Sequence, residues 1–251
     1  MKAPISGPVD LRGRTALVSG AGRGIGRAIC AALGREGVAV ACGDIREPSE
    51  TVADLSARGV KTLPLVVDVR RREQAVAAVN EVMAAWGRLD ILVCNAGVLG
   101  DSRVPVERLD LEEWDQIMEV NLRGQFLLIQ AAWPHMLAQK SGKIVCLGSI
   151  AGRIGGVLAG PHYCASKGGV HAMVKALAKR GAPLGIYVNG IAPGPVATPM
   201  IAEEPYKDEM VPLGRLGQPE DIAEAAVFLS SQASHFITGQ VLDVNGGMLM
   251  V

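Results

Sequence analysis

The sequence contains few aromatic residues and no excess of charge of either sign. Phenylalanine, tryptophan and tyrosine make up 4% of the 251 residues, and 25 basic side chains balance 25 acidic ones. A net charge of zero creates no overall field that would attract the chain to nucleic acid or to an anionic membrane. We therefore expect a small-molecule partner and further copies of this chain, with neither nucleic acid nor membrane involved.

Long apolar runs and paired cysteines are also missing. No apolar run reaches the roughly 18 residues that a membrane helix needs, and the first residues resemble neither a secretory signal nor a transit peptide. The five cysteines form no CxxC pair, and the four histidines form no ligand-spaced cluster with them. We expect a cytoplasmic protein with reduced cysteines and no metal site.

The chain is rich in hydrophobic residues, which make up 49% of it, and in glycine, of which it has 31. Short runs rich in valine, isoleucine and leucine alternate with segments of helical periodicity, which is typical of parallel strands covered by helices on both faces. The length suits one α/β domain covering residues 1–251. The predicted strands are Thr15–Ser19, Val38–Asp44, Thr62–Val67, Ile91–Cys94, Lys143–Leu147, Tyr187–Ile191 and Gln240–Val244. The predicted helices cover 25–36, 48–58, 71–86, 112–139, 163–182 and 219–231.

A glycine-rich segment directly follows the first predicted strand and opens into a helix. It reads Gly20-Ala21-Gly22-Arg23-Gly24-Ile25-Gly26. Glycines let the backbone approach a pyrophosphate closely, and the N-terminus of a helix stabilises phosphate charge. The strict GxGxxG spacing is not met, because every frame puts Ile25, Arg27 or Ile29 where the last glycine belongs. A tight structural turn is the alternative interpretation.

Asp44 ends the second predicted strand, about where a dinucleotide-binding fold presents a carboxylate to the adenosine ribose. A carboxylate there accepts hydrogen bonds from the ribose diol and repels a 2′-phosphate, which favours NAD over NADP. Arg23 and Arg46 stand nearby in the sequence and could neutralise an additional phosphate, although solvated surface charge is the simpler interpretation. We predict that NAD is the preferred cofactor.

A tyrosine and a lysine four residues apart, Tyr163 and Lys167, share one face of a predicted helix. A free phenol has a pKa of about 10 and is a poor base at neutral pH. An ammonium group and an oxidised nicotinamide ring would both favour the phenolate, so we expect a lowered pKa for Tyr163. Tyr163 would then serve as proton donor and acceptor.

These motifs, in this order, resemble the classical short-chain dehydrogenase/reductase family over nearly the whole chain. The specific features are the Gly20–Gly26 loop, Asp68-Val69, Asn95-Ala96-Gly97, Asn121, Ser149, Tyr163, Lys167 and Pro193-Gly194. The resemblance implies a catalytic set of Asn121, Ser149, Tyr163 and Lys167. It implies cofactor contacts from Gly20, Arg23, Gly24, Ile25, Gly26, Asp44, Asp68, Val69, Asn95, Ala96, Gly97, Tyr163, Lys167, Ile191, Pro193, Gly194 and Thr198.

Roles for these residues also follow from the resemblance. Asp68 and Val69 would hold the adenine, Ser149 would polarise the substrate carbonyl, and Asn121 would hold a water of the proton relay. Lys167 would additionally hydrogen-bond to the nicotinamide ribose. Thr198 would hydrogen-bond to the amide of the nicotinamide. Each position has a structural alternative: Asn121 as an ordinary helix residue, Ser149 as a strand-end cap, Tyr163 as a packing residue.

Three departures from the family's 3-oxoacyl-carrier-protein reductases argue against a carrier-protein substrate. Cys94 replaces an asparagine, Ser149 and Tyr163 stand one residue further apart than expected, and Pro134 stands where those reductases typically have an arginine. We therefore expect a ketone or secondary alcohol as substrate. Reduction of a 3-oxoacyl thioester is one alternative, and a non-catalytic dinucleotide sensor is another.

The resemblance also implies the order of the strands and the state of assembly. We predict a single Rossmann-type doubly wound parallel sheet of seven strands, in the order 3-2-1-4-5-6-7, with the site at the carboxyl ends of the strands. The apolar tail from Met248 to Val251 and the several apolar faces of helix 112–139 favour contact with other subunits. We expect a homotetramer.

Overall fold

The computed structural model describes residues 9–101, 104–156 and 158–251. Its seven strands all pair in parallel and form one sheet in the order β3-β2-β1-β4-β5-β6-β7, which confirms the predicted fold. The strands are β1 (Thr15–Ser19), β2 (Ala39–Asp44), β3 (Thr62–Val66), β4 (Ile91–Cys94), β5 (Gly142–Leu147), β6 (Ile186–Pro193) and β7 (Val241–Val244).

Helices connect the strands in the alternating manner that the sequence predicts. They are α1 (Gly24–Arg35), α2 (Ser49–Ala57), α3 (Arg72–Trp86), α4 (Leu111–Met118), α5 (Gly124–Gln139), α6 (Ala151–Ile154), α7 (Pro161–Gly181) and α8 (Pro219–Ser230). Among the described residues, no helix is long and apolar enough to span a membrane.

Both faces of the sheet are buried because successive side chains of each strand point to opposite sides. Leu17 and Leu92 belong to the core beneath α3, α5 and α7, whereas Val18 and Val93, one residue further along, belong to the core beneath α1, α2 and α8. This explains why the strands are apolar throughout rather than alternately polar. Because all the strands are parallel, their carboxyl ends meet at one edge of the sheet.

The predicted helix over 112–139 is the one element that the structure divides. A π turn over Glu119–Arg123 separates α4 from α5. Gly124 follows this turn, and a Cβ there would lie 2.7 Å from Cγ2 of Val69, so a glycine permits the close approach. Periodicity alone cannot show the extra residue of a π turn, and such turns are frequent at functional sites. Asn121 lies within this turn.

Candidate active site

A cavity of about 380 Å³ opens at the carboxyl ends of the strands. Most of the predicted site residues line it, although they come from the segments at the ends of six strands and from α7. Those that line it are Gly20, Arg23, Gly24, Ile25, Asp44, Asp68, Val69, Asn95, Ala96, Gly97, Ser149, Tyr163, Lys167, Pro193, Gly194 and Thr198.

Three of the predicted residues lie behind the cavity wall. Gly26, Asn121 and Ile191 are buried and do not line the cavity. Gly26 is needed for packing, because a Cβ there would collide with the carbonyl oxygen of Gly20. The glycine brings the first turn of α1 against the loop that follows β1.

The loop after β1 has the form of a phosphate cradle. Gly20 has a φ of +66°, a conformation that favours glycine, and a Cβ there would lie 2.9 Å from Cα of Ala96. The residue that precedes α1, Arg23, makes no side-chain hydrogen bond to the first turn of the helix. The backbone N–H groups at the start of α1 therefore have no side-chain cap and suit an anionic ligand.

Asn95 fastens this loop to the end of β4. Its Nδ2 donates to the carbonyl oxygens of Ser19 and Gly20, each at 3.0 Å. The hydroxyl of Ser19 accepts in return from the backbone N–H groups of Asn95, at 3.0 Å, and Ala96, at 3.1 Å. The two loops that would flank a dinucleotide are thus held at a fixed separation.

The carboxylate of Asp44 turns toward the glycine loop. Its Oδ2 accepts from the backbone N–H of Gly22 at 2.9 Å, and a Cβ on Gly22 would lie 3.0 Å from the same oxygen. Asp44 and Arg23 both line the cavity, whereas Arg46 does not. A carboxylate and an arginine therefore both line the cavity next to the glycine loop.

Asp68 is paired with an arginine that the sequence analysis did not single out. Arg70 donates to both carboxylate oxygens, with distances from 2.7 to 3.1 Å, and it also lines the cavity. Its hydrogen bonds lower the pKa of the Asp68 carboxyl. This contact between Asp68 and Arg70, two residues apart in the segment after β3, keeps the Asp68 carboxylate ionised where it lines the cavity.

Ser149, Tyr163 and Lys167 meet at the other end of the cavity. The Ser149 Oγ accepts from the backbone N–H of Ala151 at 3.1 Å, and the nearness of Ser149 to Tyr163 acts to lower the pKa of that phenol. Lys167 is 4% exposed, donates to the carbonyl oxygen of Leu147 at 2.9 Å, and has its Nζ 5.5 Å from the centre of the Tyr163 ring. The two hydroxyls and the amine therefore converge as the resemblance implies.

The expected lowering of the Tyr163 pKa is not what the side chains of this chain produce. Burial raises the pKa of Tyr163 to about 12, and the nearby Ser149 hydroxyl offsets only part of this effect. Burial also lowers the pKa of Lys167 to about 8, because a low-dielectric site disfavours the charged amine. Tyr163 is consequently a neutral phenol near pH 7, suited to donate a proton.

Asn121 stabilises the surroundings of Tyr163 through direct hydrogen bonds. Its Oδ1 accepts from the N–H of Val98 at 2.8 Å, while its Nδ2 donates to the carbonyl of Val98 at 2.9 Å and to Oγ of Ser166 at 3.1 Å. Ser166 in turn donates to the carbonyl oxygen of Tyr163 at 2.7 Å. Both amide hydrogens of Asn121 and its Oδ1 are thus engaged within the protein.

Gln125 is a buried polar residue near the site that the sequence analysis overlooked. Its Nε2 donates to the carbonyl oxygens of Asn121, at 3.0 Å, and Leu147, at 3.1 Å. The carbonyl of Leu147 therefore accepts from both Gln125 and Lys167. This shared acceptor connects the π turn to the end of β5.

His171 is a second residue that sequence reasoning missed, although a signal for it exists. It stands four residues after Lys167, and thus on the same face of α7 as Tyr163 and Lys167. The backbone N–H of Ser149 donates to its Nε2 at 3.4 Å. A Cβ on Gly148 would collide with the same nitrogen, so the ring fits closely behind Ser149.

His171 is predicted to remain neutral through the working pH range. Burial lowers its pKa to about 4, and the charges of Arg153, Lys167 and Lys175 act in the same direction. Its folded pKa lies below that of free histidine, so its neutral form, which accepts from Ser149, persists until the pH falls toward about 4. Histidine-labelled NMR should show a His171 signal that is unchanged from about pH 7 to about pH 5.

The variant His171→Asn would assign that signal by its disappearance. Titration of His171 with a midpoint between about pH 6 and pH 7, the range of an unperturbed imidazole, would contradict the account of its burial.

No group of three or more histidine, cysteine, aspartate or glutamate side chains in the described ranges is placed to hold a metal ion. The residues present at the cavity do fit a dinucleotide: an uncapped helix start, a close-approach glycine loop and a carboxylate at the end of β2. Dinucleotide-binding sheets use these features at this edge.

Comparison with known proteins identifies the same family that the sequence motifs resemble. A family model described as enoyl-(acyl carrier protein) reductase matches residues 20–249. A 3-oxoacyl-acyl-carrier-protein reductase of Staphylococcus aureus is 40% identical over 245 residues, covering 94% of this chain and 98% of that protein. The corresponding reductase of Thermotoga maritima is 38% identical over 247 residues, covering 96% of this chain and 99% of its own length.

A solved structure extends the likeness to three dimensions. The crystal structure of a short-chain type dehydrogenase/reductase from Mycobacterium marinum has a TM-score of 0.92 and 32% sequence identity, and the match covers 96% of this chain and 98% of that one. These matches span nearly the full length of both partners and the whole cavity. The chain therefore belongs to the short-chain dehydrogenase/reductase family and is an oxidoreductase that uses a nicotinamide cofactor on CH–OH or keto groups.

Proposed function

We propose that this enzyme transfers a hydride between NAD and an uncharged ketone or secondary alcohol, with Ser149, Tyr163 and Lys167 as its catalytic residues. The observation that carries the proposal is the convergence of two hydroxyls and a buried amine at one end of a cavity whose other end is a glycine cradle with a carboxylate. A binding module or sensor would need only the cradle. The hydroxyls and the amine at the other end have no use in a binding module, so their presence favours an enzyme over a sensor.

The catalytic residues divide the work between orientation and proton transfer. When bound, the nicotinamide ring supplies the hydride in reduction and accepts it in oxidation. The N–H of Ala151 holds the oxygen of Ser149 in place, and the Ser149 hydroxyl would orient the substrate carbonyl. Tyr163 gives its phenolic proton to the carbonyl oxygen, and the nearby Lys167 ammonium stabilises the phenolate that remains. Asn121 positions Tyr163 through Ser166.

Cofactor contacts are proposed for the residues that form the two loops and their surroundings. Gly20, Arg23, Gly24 and Ile25 would hold the pyrophosphate, with Gly26 allowing the close packing behind them. The other proposed contacts are Asp44, Asp68, Val69, Asn95, Ala96, Gly97, Tyr163, Lys167, Pro193, Gly194 and Thr198. The charge of Asp44 beside the cradle supports NAD over NADP.

Reduction of a 3-oxoacyl thioester is the second candidate, and the names of the Staphylococcus and Thermotoga relatives favour it. Pro134 lies inside α5, where the resemblance implies an arginine for docking a carrier protein. An assay with a 3-oxoacyl thioester beside simple ketones separates the two candidates. A much higher kcat/KM for the thioester would favour the second.

A homotetramer in the cytoplasm is proposed for the working enzyme, with the chain as one domain. Several apolar side chains toward the C-terminal part are exposed, with Phe236, Met250 and Val251 among the most accessible, and contact with other subunits would cover them. All five cysteines are free thiols, which suits a reducing compartment. Light scattering measures the mass directly, and a monomer would contradict the proposed assembly.

Replacement of Tyr163 tests the proton-transfer role. Tyr163→Phe removes only the hydroxyl, so kcat for ketone reduction should fall by about 10²–10⁴-fold, the range for loss of a general acid. The affinity for NADH, followed by fluorescence titration, should change little. Tyr187→Phe, which removes a phenol bonded to His235 on the surface, is the matched control and should keep its activity. A Tyr163→Phe enzyme with more than about a tenth of wild-type kcat would rule the role out.

The charge of Asp44 should set the cofactor preference. We predict a higher kcat/KM with NADH than with NADPH, and a preference reduced by about tenfold in Asp44→Asn and Asp44→Ala because the repulsion of a 2′-phosphate is lost. Asparagine can retain the acceptor for the N–H of Gly22, whereas alanine removes it. The comparison of the two variants therefore separates charge from loop structure.

Asp54→Asn is the control for the Asp44 variants, because Asp54 pairs with Arg58 away from the cavity. Higher kcat/KM with NADPH in the wild-type enzyme would mean that Arg23 outweighs Asp44 and would overturn the NAD preference.

A further inference from the structure

The substrate end of the cavity differs in polarity from its cofactor end. Arg23, Asp44, Asp68 and Arg70 line the cofactor end. Apart from these four residues and Lys167, the described residues that line the cavity carry no charge. They include Leu99, Gln116, Val120, Ile150, Met200 and Tyr206. This composition suits a substrate without an ionised group.

Tyr206 brings a further hydroxyl to this apolar end. It stands between two short 3₁₀ turns, Pro199–Ile201 and Asp208–Met210, and is half-buried. It lines the cavity together with Ser149 and Tyr163. A phenol can donate its proton, and a substrate oxygen bound in the cavity could accept it.

The two phenols of the cavity lie close enough to influence each other. Besides burial, the largest effect on Tyr163, the nearness of Tyr206 contributes to the raised pKa of the Tyr163 phenol. Burial also raises the pKa of Tyr206, and the carboxylate of Glu204 adds to this, so both phenols stay neutral near pH 7. Two neutral hydrogen-bond donors thus face one small cavity.

We propose that Tyr206 is a specificity-determining residue, whose hydroxyl donates to a second, uncharged oxygen of the substrate while Ser149 and Tyr163 bind the reacting carbonyl. The inference rests on the proposed function and narrows its substrate class. The favoured substrates are diketones and hydroxyketones, and the corresponding diols in the reverse direction. A carboxylate or phosphate in place of the second oxygen is disfavoured by the uncharged side chains that line this part of the cavity.

The test compares two ketones of equal carbon number on one pair of enzymes. The kcat/KM values of wild type and Tyr206→Phe are measured with diacetyl, which carries a second oxygen, and with butanone, which does not. The variant should lose about three- to tenfold with diacetyl, as expected for one neutral hydrogen bond, and less than about twofold with butanone. Diacetyl is intrinsically more reactive than butanone. This difference does not affect the result, because the kcat/KM of the variant is compared with that of wild type on the same substrate.

The ratio of the two losses is also independent of how much of the variant folds, since both substrates are assayed on one preparation. Tyr187→Phe is the matched control and should leave both values unchanged. Equal losses with the two ketones, no loss with either, or a wild-type enzyme that reduces butanone but not diacetyl would each overturn the role of Tyr206. A wild-type enzyme that is inactive with every ketone and alcohol would instead refute the proposed function, and the inference with it.

Discussion

The contact on which the site depends most is the buried amine of Lys167 held by the carbonyl oxygen of Leu147 at 2.9 Å. This carbonyl ends β5, so the lysine is fixed to the sheet rather than to a mobile loop. Gln125 donates to the same oxygen and to the carbonyl of Asn121 in the π turn. Asn121 in turn reaches Tyr163 through Ser166. The sheet, the broken helix and α7 are therefore connected by hydrogen bonds that converge behind the reacting groups.

Burial acts in opposite directions on the two titrating groups of the site, and this suits a proton donor. It raises the pKa of Tyr163 to about 12 and lowers that of Lys167 to about 8, so the phenol keeps its proton while the amine becomes easier to deprotonate. The lowering of the Tyr163 pKa that the motif predicts must come from charge brought by a bound cofactor. The chain itself supplies a neutral, oriented phenol.

The strand order and most of the cavity could be predicted from the sequence because both depend on local patterns: apolar strands, helix periodicity, and motifs that follow each strand. Residues such as Ser149 and Asp44 were found for this reason. The π turn at Asn121 was missed, since periodicity does not register one additional residue. Gln125, His171 and Tyr206 act through partners distant in the chain, and their burial follows only from the assembled fold. The lowered pKa of Tyr163 stays a prediction for the cofactor-bound enzyme, because it depends on charge that the cofactor brings.

Isotope transfer tests the central claim most directly. NADH deuterated at the transferable position of the ring is incubated with the enzyme and diacetyl or butanone, and the alcohol is analysed by mass spectrometry. The account predicts one deuterium on the new carbinol carbon and none on the hydroxyl, because the hydride comes from the cofactor and the proton from Tyr163 and solvent. An alcohol formed without deuterium at that carbon would contradict direct hydride transfer in this cavity.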